Sequence, residues 1–407
     1  MSIEIGTLKQ LIFKRQSAKG TLATTGAAQI LRRQTSTFEL VKAHYDSAAE
    51  IASHQQLVSN RHGEHTVNGA IAGLLSPGTY TDMISAVLRR DFAAVTPIAG
   101  ASITIAGAGP VYTVTRAAGS FLTDGVKIGQ VIQLSVGTFN AANLANNLIV
   151  TALTALVATV QTVNGSALVA EGPIVTSTVT VMGKVTFTPP TAQTNVYYTV
   201  EEWFPDIPFS QRNIDCKIGD TTLTLPGSGN ATLAVTSVGL DQTTNAAQYF
   251  VTPTVETTST VVVGATGLLF VNGVQMATVT SLTVKINGNE VPASGVVGAV
   301  VRPDIFRAKV MVTGTFVAYF DSGTVPNLFV NETQISILAV LADSAANNAN
   351  VIAISIPTLK LNTSKPDDGD GKGLMRTYDY IATYNSAGGA GVATQQTTLA
   401  IQDSLAP

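Results

Sequence analysis

Charged side chains are scarce in this sequence. Only 12% of its 407 residues are Asp, Glu, Lys or Arg, about half of the roughly 25% found in typical soluble domains. Disordered chains are poorly hydrophobic, whereas this one is 45% hydrophobic with a mean hydropathy of +0.29. Since a free monomer usually carries more surface charge to remain soluble, the composition predicts a folded protein with much of its surface covered by other subunits.

The hydrophobic pattern predicts a mainly β fold. Apolar and polar residues alternate over Thr66–Leu74, Ser281–Ile286 and Arg307–Phe320, as in strands with one buried face, and the last of these is the longest predicted strand. Asn272-Gly273 and Asn287-Gly288 are dipeptides favoured in tight hairpins. Segments 334–341 and 351–361 are predicted to pair antiparallel. Other strands are predicted at 38–43, 111–115, 131–136, 159–163, 175–181, 195–202, 221–225, 232–240 and 375–384.

One packed α-helix is predicted after residue 76. Ser76 is a candidate N-cap and Pro77 suits a first helical turn. Arg89 and Arg90 at the other end would complement the helix dipole. Apolar residues recur at spacings of three and four, which gives the helix one apolar face: Tyr80, Met83, Ile84, Val87 and Leu88.

Shifts in composition predict the domain organisation. Residues 1–35 are polar and basic and are predicted to form an extended N-terminal arm. After Pro97 the chain changes character, with no charged residue from 128 to 170, and several short strands there predict an inserted small β-barrel or sandwich at 98–185. A β-sandwich domain would then comprise 36–97 and 186–407. Residues 46–60 are expected to be a loop or a frayed helix.

The sequence offers no set of residues suited to catalysis, a cofactor or a metal. Four histidines (His44, His54, His62, His65) lie close in sequence, but His62 and His65 would point to opposite faces of a strand. The Asp-rich segment 367–372 departs from the calcium-loop pattern and is predicted to be a turn. No G-x-S-x-G elbow is present. We therefore predict a protein that is not an enzyme.

The net charge, the cysteine count and the hydropathy argue against tight nucleic-acid binding, an internal disulfide and a membrane span. A net charge of −3 and a pI near 5.8 provide no basic footprint for tight nucleic-acid binding. The single cysteine, Cys216, excludes an internal disulfide. No signal peptide is recognised, and the most apolar segment, 148–160, is shorter than the ~20 residues that a spanning helix needs. We expect no membrane association and a reducing aqueous compartment.

The order of residues between 50 and 88 resembles that of siphophage tail tube proteins, which form long non-contractile tails. In that family a polar loop leads into a strand containing a glycine and then into a helix opened by a Gly-x-Tyr-Asp-like turn. Looser likeness continues at 119–131, 279–286, 297–298, 304–305, 312–314 and 356–360. Ten residues carry the resemblance and are candidate inter-subunit residues: Glu50, Ile51, Ser53, Gln56, Arg61, Gly63, Gly69, Pro77, Gly78 and Tyr80.

The sequence also departs from the family pattern. Ala52 and Gln55 stand in the loop where basic residues are expected, and Thr81 separates Tyr80 from Asp82.

The resemblance implies a structural role. It implies a tail-tube β-sandwich or barrel with a packed helix, six copies closing into a ring, and rings stacking into a conduit for duplex DNA that is not tightly bound. The small inserted domain would lie on the exterior, and the arm and the loop after Asp46 would join rings. Tape-measure, tail-terminator and tail-tip proteins are implied partners. The protein would be made in the host bacterial cytoplasm and reside in the virion tail.

Two other functions fit parts of the sequence. A capsid decoration protein or baseplate component would share the low charge and the β content. A carbohydrate-binding adhesin would use Trp203 and the 98–185 domain, but that domain has few aromatic residues for a sugar platform (Tyr112, Phe121 and Phe139).

Overall fold

The computed structural model describes residues 5–51, 53–369, 371 and 373–407. The fold is mainly β, as predicted, with a curled sheet and a closed six-stranded barrel. The helices are α1 (Thr81–Leu88) and α2 (Thr324–Val330), and Gly264–Thr266 forms a 3-10 turn. The strands are β1 (Gln10–Arg15), β2 (Gly26–Ile30), β3 (Thr35–Asp46), β4 (Asn60–Leu74), β5 (Ile98–Ala108), β6 (Val111–Arg116), β7 (Val131–Ser135), β8 (Leu148–Leu153), β9 (Val157–Thr162), β10 (Glu171–Val181), β11 (Lys184–Phe187), β12 (Tyr198–Phe204), β13 (Phe209–Pro226), β14 (Thr232–Gly239), β15 (Asp241–Asn245), β16 (Thr252–Thr254), β17 (Gly267–Val271), β18 (Val274–Gln275), β19 (Val279–Asn287), β20 (Glu290–Pro292), β21 (Ile305–Arg307), β22 (Met311–Tyr319), β23 (Ile335–Ala342), β24 (Val351–Leu361), β25 (Lys365–Pro366), β26 (Met375–Ala382) and β27 (Ala400–Asp403).

Two parts of the curled sheet form the body of the molecule. The front sheet has the antiparallel order β3-β4-β14-β13-β19-β22-β26. The back sheet has the order β17-β23-β24-β27-β11. Leu223, Val284 and Phe316 of the front sheet share one apolar core with Ile337 and Ile354 of the back sheet. The front sheet therefore buries one face and leaves the other open.

The back sheet is covered on both faces. Leu338, Val340 and Ala353 lie on its outer side, where they pack against Val131 and Ile149 of the barrel. This double burial accounts for the nearly continuous apolar sequences of β23 and β24, because a strand without a solvent face has no need of alternation. The predicted antiparallel pairing of these two strands is confirmed.

The barrel closes in the order β10-β5-β6-β9-β8-β7 and has its own core. The four strands predicted here are present in β6, β7, β9 and β10. Sequence reasoning missed β5, which contains Gly100 and Gly107, and β8, which lies in the apolar segment 148–160. The closed barrel falls within the predicted range 98–185, and the independence of that range as a domain stays a prediction.

The N-terminal residues differ from the expected first strand at 38–43. β1 begins at Gln10 and pairs along its whole length with β12, from Gln10–Trp203 to Arg15–Tyr198, and Leu11 is fully buried. The three apolar residues of β1 are flanked by lysines and arginines, so the sequence signal was weak. Whether the first 35 residues act as an arm in an assembly stays a prediction.

Two predicted strand features are wrong. Residues 307–320 do not form a single strand, because β21 ends at Arg307 and β22 begins at Met311, while the longest strand is β13 with 18 residues. Asn287-Gly288 is not a hairpin turn, since β20 pairs with β21. Asn272-Gly273, by contrast, forms the predicted two-residue turn between β17 and β18, with φ of 51° and 78°.

The predicted helix starts later than expected. α1 begins at Thr81, so Pro77 lies in the preceding turn, and the Ser76 hydroxyl bonds to the Thr79 hydroxyl at 2.6 Å instead of capping the helix. Its apolar face is buried as predicted. α2 was missed, since it has only seven residues, including Pro326, and Val325 is its one buried residue. Within the described residues, neither helix is long and apolar enough to span a membrane.

Candidate functional site

The open face of the front sheet is lined by threonine and other small residues. The strand registers place Thr232, Thr224, Thr283 and Thr315 in one row across four strands. A neighbouring row runs through Ala72, Ala234, Thr222, Lys285 and Thr313. Each of these residues is at least partly exposed, whereas those that alternate with them along β13, β19 and β22 are mostly buried. β-Branched threonines favour strand structure and pair across it, so the same residues stabilise the sheet and present its hydroxyl surface.

Charged side chains on this face are few. Lys285 Nζ lies 3.3 Å from Asp220 Oδ2. Asp379, at the end of the threonine row, accepts a hydrogen bond from the Thr363 hydroxyl at 2.8 Å. The face therefore lacks the cluster of unpaired cations that strong phosphate binding requires.

A long hairpin, β3–β4, projects from one end of the front sheet. The pairing of β4 with β14 ends at Val67, and His65 forms one further bridge, with Val301. Beyond that point β4 continues to Asn60, paired with β3. The described residues between Asp46 and Asn60 form a loop, which was one of the two expectations, and all of them except the partly buried Ser47 are exposed. We call residues 47–59 the tip.

Side-chain contacts join the two strands of the hairpin near the tip. Tyr45 Oη donates to Glu64 Oε2 at 2.6 Å, and Arg302 lies 3.6 Å from Glu64 Oε1. The hydrogen bond from Tyr45 holds the pKa of Glu64 below its usual value. A Cβ at Gly63 would lie 2.1 Å from the Tyr45 ring, so a larger residue there would displace that ring. His44 and His62 pair across the strands with ring centroids 4.8 Å apart.

The opposite end of β4 leads into a tightly bonded turn before α1. Tyr80 Oη donates to the Arg32 carbonyl at 2.8 Å, and burial raises the pKa of Tyr80 to about 12. The Pro77 carbonyl accepts from the Ser259 hydroxyl at 2.6 Å. The Gly78 N–H donates to Asp403 Oδ2 at 2.8 Å. This turn, which we call the base, therefore ties the helix to three distant segments of the chain.

A sequence model of the phage tail tube protein family matches residues 8–382. The chain belongs to the phage tail tube protein family. A search of curated proteins found no match. The family match runs from β1 to β26, so the front sheet, the projecting hairpin and the barrel are all parts of a tail tube protein, a structural component of the virion tail that assembles into a multi-subunit tube.

In this tail tube protein the ten candidate residues fall into two groups. Six lie at or next to the tip: Glu50, Ile51, Ser53, Gln56, Arg61 and Gly63. The other four lie toward the base: Gly69, which faces the Phe38 ring, with Pro77, Gly78 and Tyr80. Their role between subunits stays a prediction. Of the noted departures, Gln55 is exposed at the tip and Ala52 lies outside the described residues.

The base also contains a groove that sequence reasoning missed. Its volume is about 540 Å³, and it lies between β2, the turn before α1, segment 257–259 and the C-terminus. Residues from five segments of the chain line it, including Phe13, Ile30, Pro77, Thr258 and Leu405. No local sequence pattern could have indicated it, because each segment contributes five residues at most.

Among the residues considered for metal binding, His44 and His62 pair with each other, and the others have separate partners. His65 bonds to Asp241 at 2.9 Å, and His54 Nδ1 accepts from the Gln56 N–H at 3.2 Å. In the described part of the chain no three His, Cys, Asp or Glu side chains are grouped to hold a metal. Asp370 and Lys372 of the acidic segment lie outside that part. Trp203 is partly buried and packs against a small apolar cluster with Ile12 and Phe250.

Proposed function

We propose that six copies of this tail tube protein close into a ring, and that stacked rings form a conduit through which duplex DNA passes. The observation that carries the proposal is the contrast between the two sheets. The barrel covers the outer side of the back sheet, while the front sheet presents an open, hydroxyl-lined face. The outer surface of a tube can carry an additional domain, whereas its channel must remain unobstructed. We therefore assign the threonine face to the lumen and the barrel to the exterior.

Lateral joining of subunits would use the edges of the front sheet. β3 has 12 residues and, among the described strands, pairs with β4 alone. At the other side of the front sheet, β26 has a second neighbour over only part of its length, through β24 and β25. Unpaired strand edges favour β-sheet pairing with another chain. In a ring, each exposed β3 would extend the front sheet toward the neighbouring subunit.

The chemistry of the proposed lumen suits passage of DNA. Each phosphate that a protein neutralises adds roughly 0.9 to the slope of binding against salt, so a lysine-lined channel would retain its cargo. Hydroxyl groups and paired charges provide a hydrated surface without this retention. Tape-measure, tail-terminator and tail-tip proteins are the proposed partners of the tube, and the host bacterial cytoplasm is the proposed site of synthesis.

Electron microscopy of the concentrated protein tests the assembly. Hollow tubes or six-fold rings with a hole wide enough for duplex DNA are expected. Discrete trimers or persistent monomers would refute the proposal and favour a decoration or baseplate protein instead.

The lumen assignment has a separate test. Tubes are grown with short duplex DNA, treated with nuclease and sedimented, and the protected DNA is measured. We expect little protected DNA in the wild type and salt-sensitive retention in Thr224→Lys. Thr138→Lys, on an exposed barrel residue, is the matched control and should retain no protected DNA. Equal retention in both variants would contradict the assignment of the threonine face to the lumen.

A further inference from the structure

We infer that Asn272 is a site of spontaneous deamidation, the conversion of an asparagine side chain into aspartate or isoaspartate. The side chain belongs to the Asn272-Gly273 turn between β17 and β18, and the inference does not depend on the proposed ring or on its stacking. A structural protein of the virion is not replaced once the particle is built. A slow reaction at an exposed site therefore accumulates in it.

Deamidation begins with attack by the backbone of the following residue. The Gly273 amide nitrogen forms a bond to Asn272 Cγ, the Cγ–Nδ2 bond breaks, and the proton of the Gly273 N–H leaves with Nδ2 as ammonia. Water then opens the resulting cyclic imide. Addition at Cγ gives aspartate with a normal backbone, whereas addition at the main-chain carbonyl gives isoaspartate, whose backbone runs through Cγ. A glycine favours the first step, because no Cβ hinders the approach of its nitrogen.

The reacting groups of this turn are open to solvent and free of competing bonds. Asn272 and Gly273 are both exposed, and apart from the chain neighbours no atom lies within 4 Å of the position that a Gly273 Cβ would take. In the described part of the chain, neither the Asn272 side-chain amide nor the Gly273 N–H has a hydrogen-bond partner. The imide therefore has space to form, and no bond of either group must break first.

The turn is held by a short pairing that can open. Its residues have φ of 51° and 78°, and formation of the imide requires rotation about the Asn272 backbone. β18 has two residues, each paired with β17, and one further bond runs from the Met276 N–H to the Leu269 carbonyl at 2.9 Å. The Asn272 N–H donates to the Ser336 carbonyl at 2.8 Å. Exposed pairings of this length open at low free-energy cost, so the folded protein can reach the reactive conformation.

Three other Asn-Gly pairs occur in the chain, and the structure protects each of them. Asn68-Gly69 lies inside β4 and is paired on both sides, with β3 and with β14. In Asn164-Gly165 the side-chain amide donates to Asn347 Oδ1 at 2.7 Å. In Asn287-Gly288 the glycine is buried, and its N–H donates to the Gly219 carbonyl at 3.2 Å. The dipeptide alone does not distinguish the four sites, whereas their surroundings favour reaction in the turn between β17 and β18.

The two products affect the structure differently. Aspartate preserves the turn, because Asp-Gly suits the same two-residue hairpin as Asn-Gly. Isoaspartate adds a carbon atom to the backbone, so the turn must rearrange and β18 must shift against β17. Gln275 of β18 accepts a hydrogen bond at its Oε1 from Gln161 Nε2 of the barrel at 2.6 Å. Formation of isoaspartate should therefore loosen a side-chain contact between the barrel and the body.

Peptide mapping of the full-length protein by mass spectrometry tests the site. The folded subunit is incubated in mildly alkaline buffer, and the deamidated fraction of each Asn-Gly peptide is followed over time. The same incubation in urea gives the intrinsic rate at each site. Relative to that rate, Asn272 should react at least about tenfold faster than the other three asparagines, because those must first lose hydrogen bonds. A relative rate at Asn272 that is no higher than at any of the others would overturn the inference.

A matched variant tests the protection of a competing site. Asn347→Ala removes the acceptor of the Asn164 side-chain amide. It should accelerate deamidation at Asn164 and leave the rate at Asn272 unchanged. An unaltered rate at Asn164 would contradict the role assigned to hydrogen bonds in selecting the site.

Amide hydrogen exchange tests the structural consequence. The isoaspartate-containing fraction of aged protein, separated by chromatography, should exchange faster in β18 than fresh protein does. Asn272→Asp is the control for the added charge and should exchange like fresh protein. Equal exchange in all three samples would refute the predicted loosening of β18.

Discussion

Asp403 is a buried carboxyl group whose ionisation should weaken the fold. It lies near the C-terminus in β27, where Oδ2 accepts from the Gly78 N–H and Oδ1 from the Leu405 N–H, each at 2.8 Å. Only 2% of the residue is exposed. Burial raises the pKa of Asp403 from 3.8 to about 6, although both backbone hydrogen bonds act in the opposite direction. Desolvation of the charged form is therefore the dominant effect.

The direction of the pH dependence follows from this raised pKa. Above the unfolded pKa the unfolded chain loses the proton more readily than the folded protein, so the free energy of unfolding falls as the pH rises from about 4 to about 6. A shift of about two units corresponds to about 3 kcal/mol. Asp403→Asn removes the charge and keeps one of the two acceptor oxygens, so its stability relative to the wild type should rise with pH over this range, by no more than that amount.

Urea unfolding of dilute monomer between pH 4 and pH 8 measures this difference. The stability of Asp403→Asn relative to the wild type should increase up to about pH 6 and then level off. Asp368→Asn, at an exposed aspartate, is the control for a general effect of charge removal. A wild type that gains stability over Asp403→Asn as the pH rises would refute the reasoning, because the two N–H donors would then outweigh desolvation.

Three further substitutions test the packing of the sheets and barrel, each by urea unfolding of the monomer. Gly73→Ala would place a Cβ 1.8 Å from Tyr80 Oη and should cost about 2–4 kcal/mol; an effect below that of Tyr80→Phe would contradict the predicted clash. Gln402→Leu removes bonds to both backbone groups of Val131 and should cost about 2–4 kcal/mol, with faster amide exchange in β7; unchanged exchange would refute this link between barrel and body. Phe316→Ala, which deletes a fully buried ring stacked on its neighbour, should cost about 3–5 kcal/mol; a loss under 1 kcal/mol would exclude the shared core described above.

The elements that could be predicted from the sequence are those in which buried residues recur at a regular spacing. In β4 the alternation of Val67, Gly69, Ile71 and Gly73 with more exposed residues is confirmed, because one face of that strand packs on the core. β1 was not predicted, because its Leu11-Ile12-Phe13 segment pairs with β12, which lies about 190 residues later in the chain. The base groove was not predicted for the same reason, because its walls come from segments that are distant in the sequence. Local patterns encode which face is buried, and they carry no information about which distant segment covers it.

The scarcity of charge acquires a physical explanation under the proposed arrangement. A row such as Thr232, Thr224, Thr283 and Thr315 could have been built from other strand formers. Valine would create a broad exposed apolar patch, which promotes association of free subunits. Lysine would bind phosphates and retain DNA. Threonine satisfies the preference for β-branched residues in strands while keeping a hydrated and uncharged surface, so a chain that must both form a wide sheet and line a channel is expected to be rich in threonine and poor in charge.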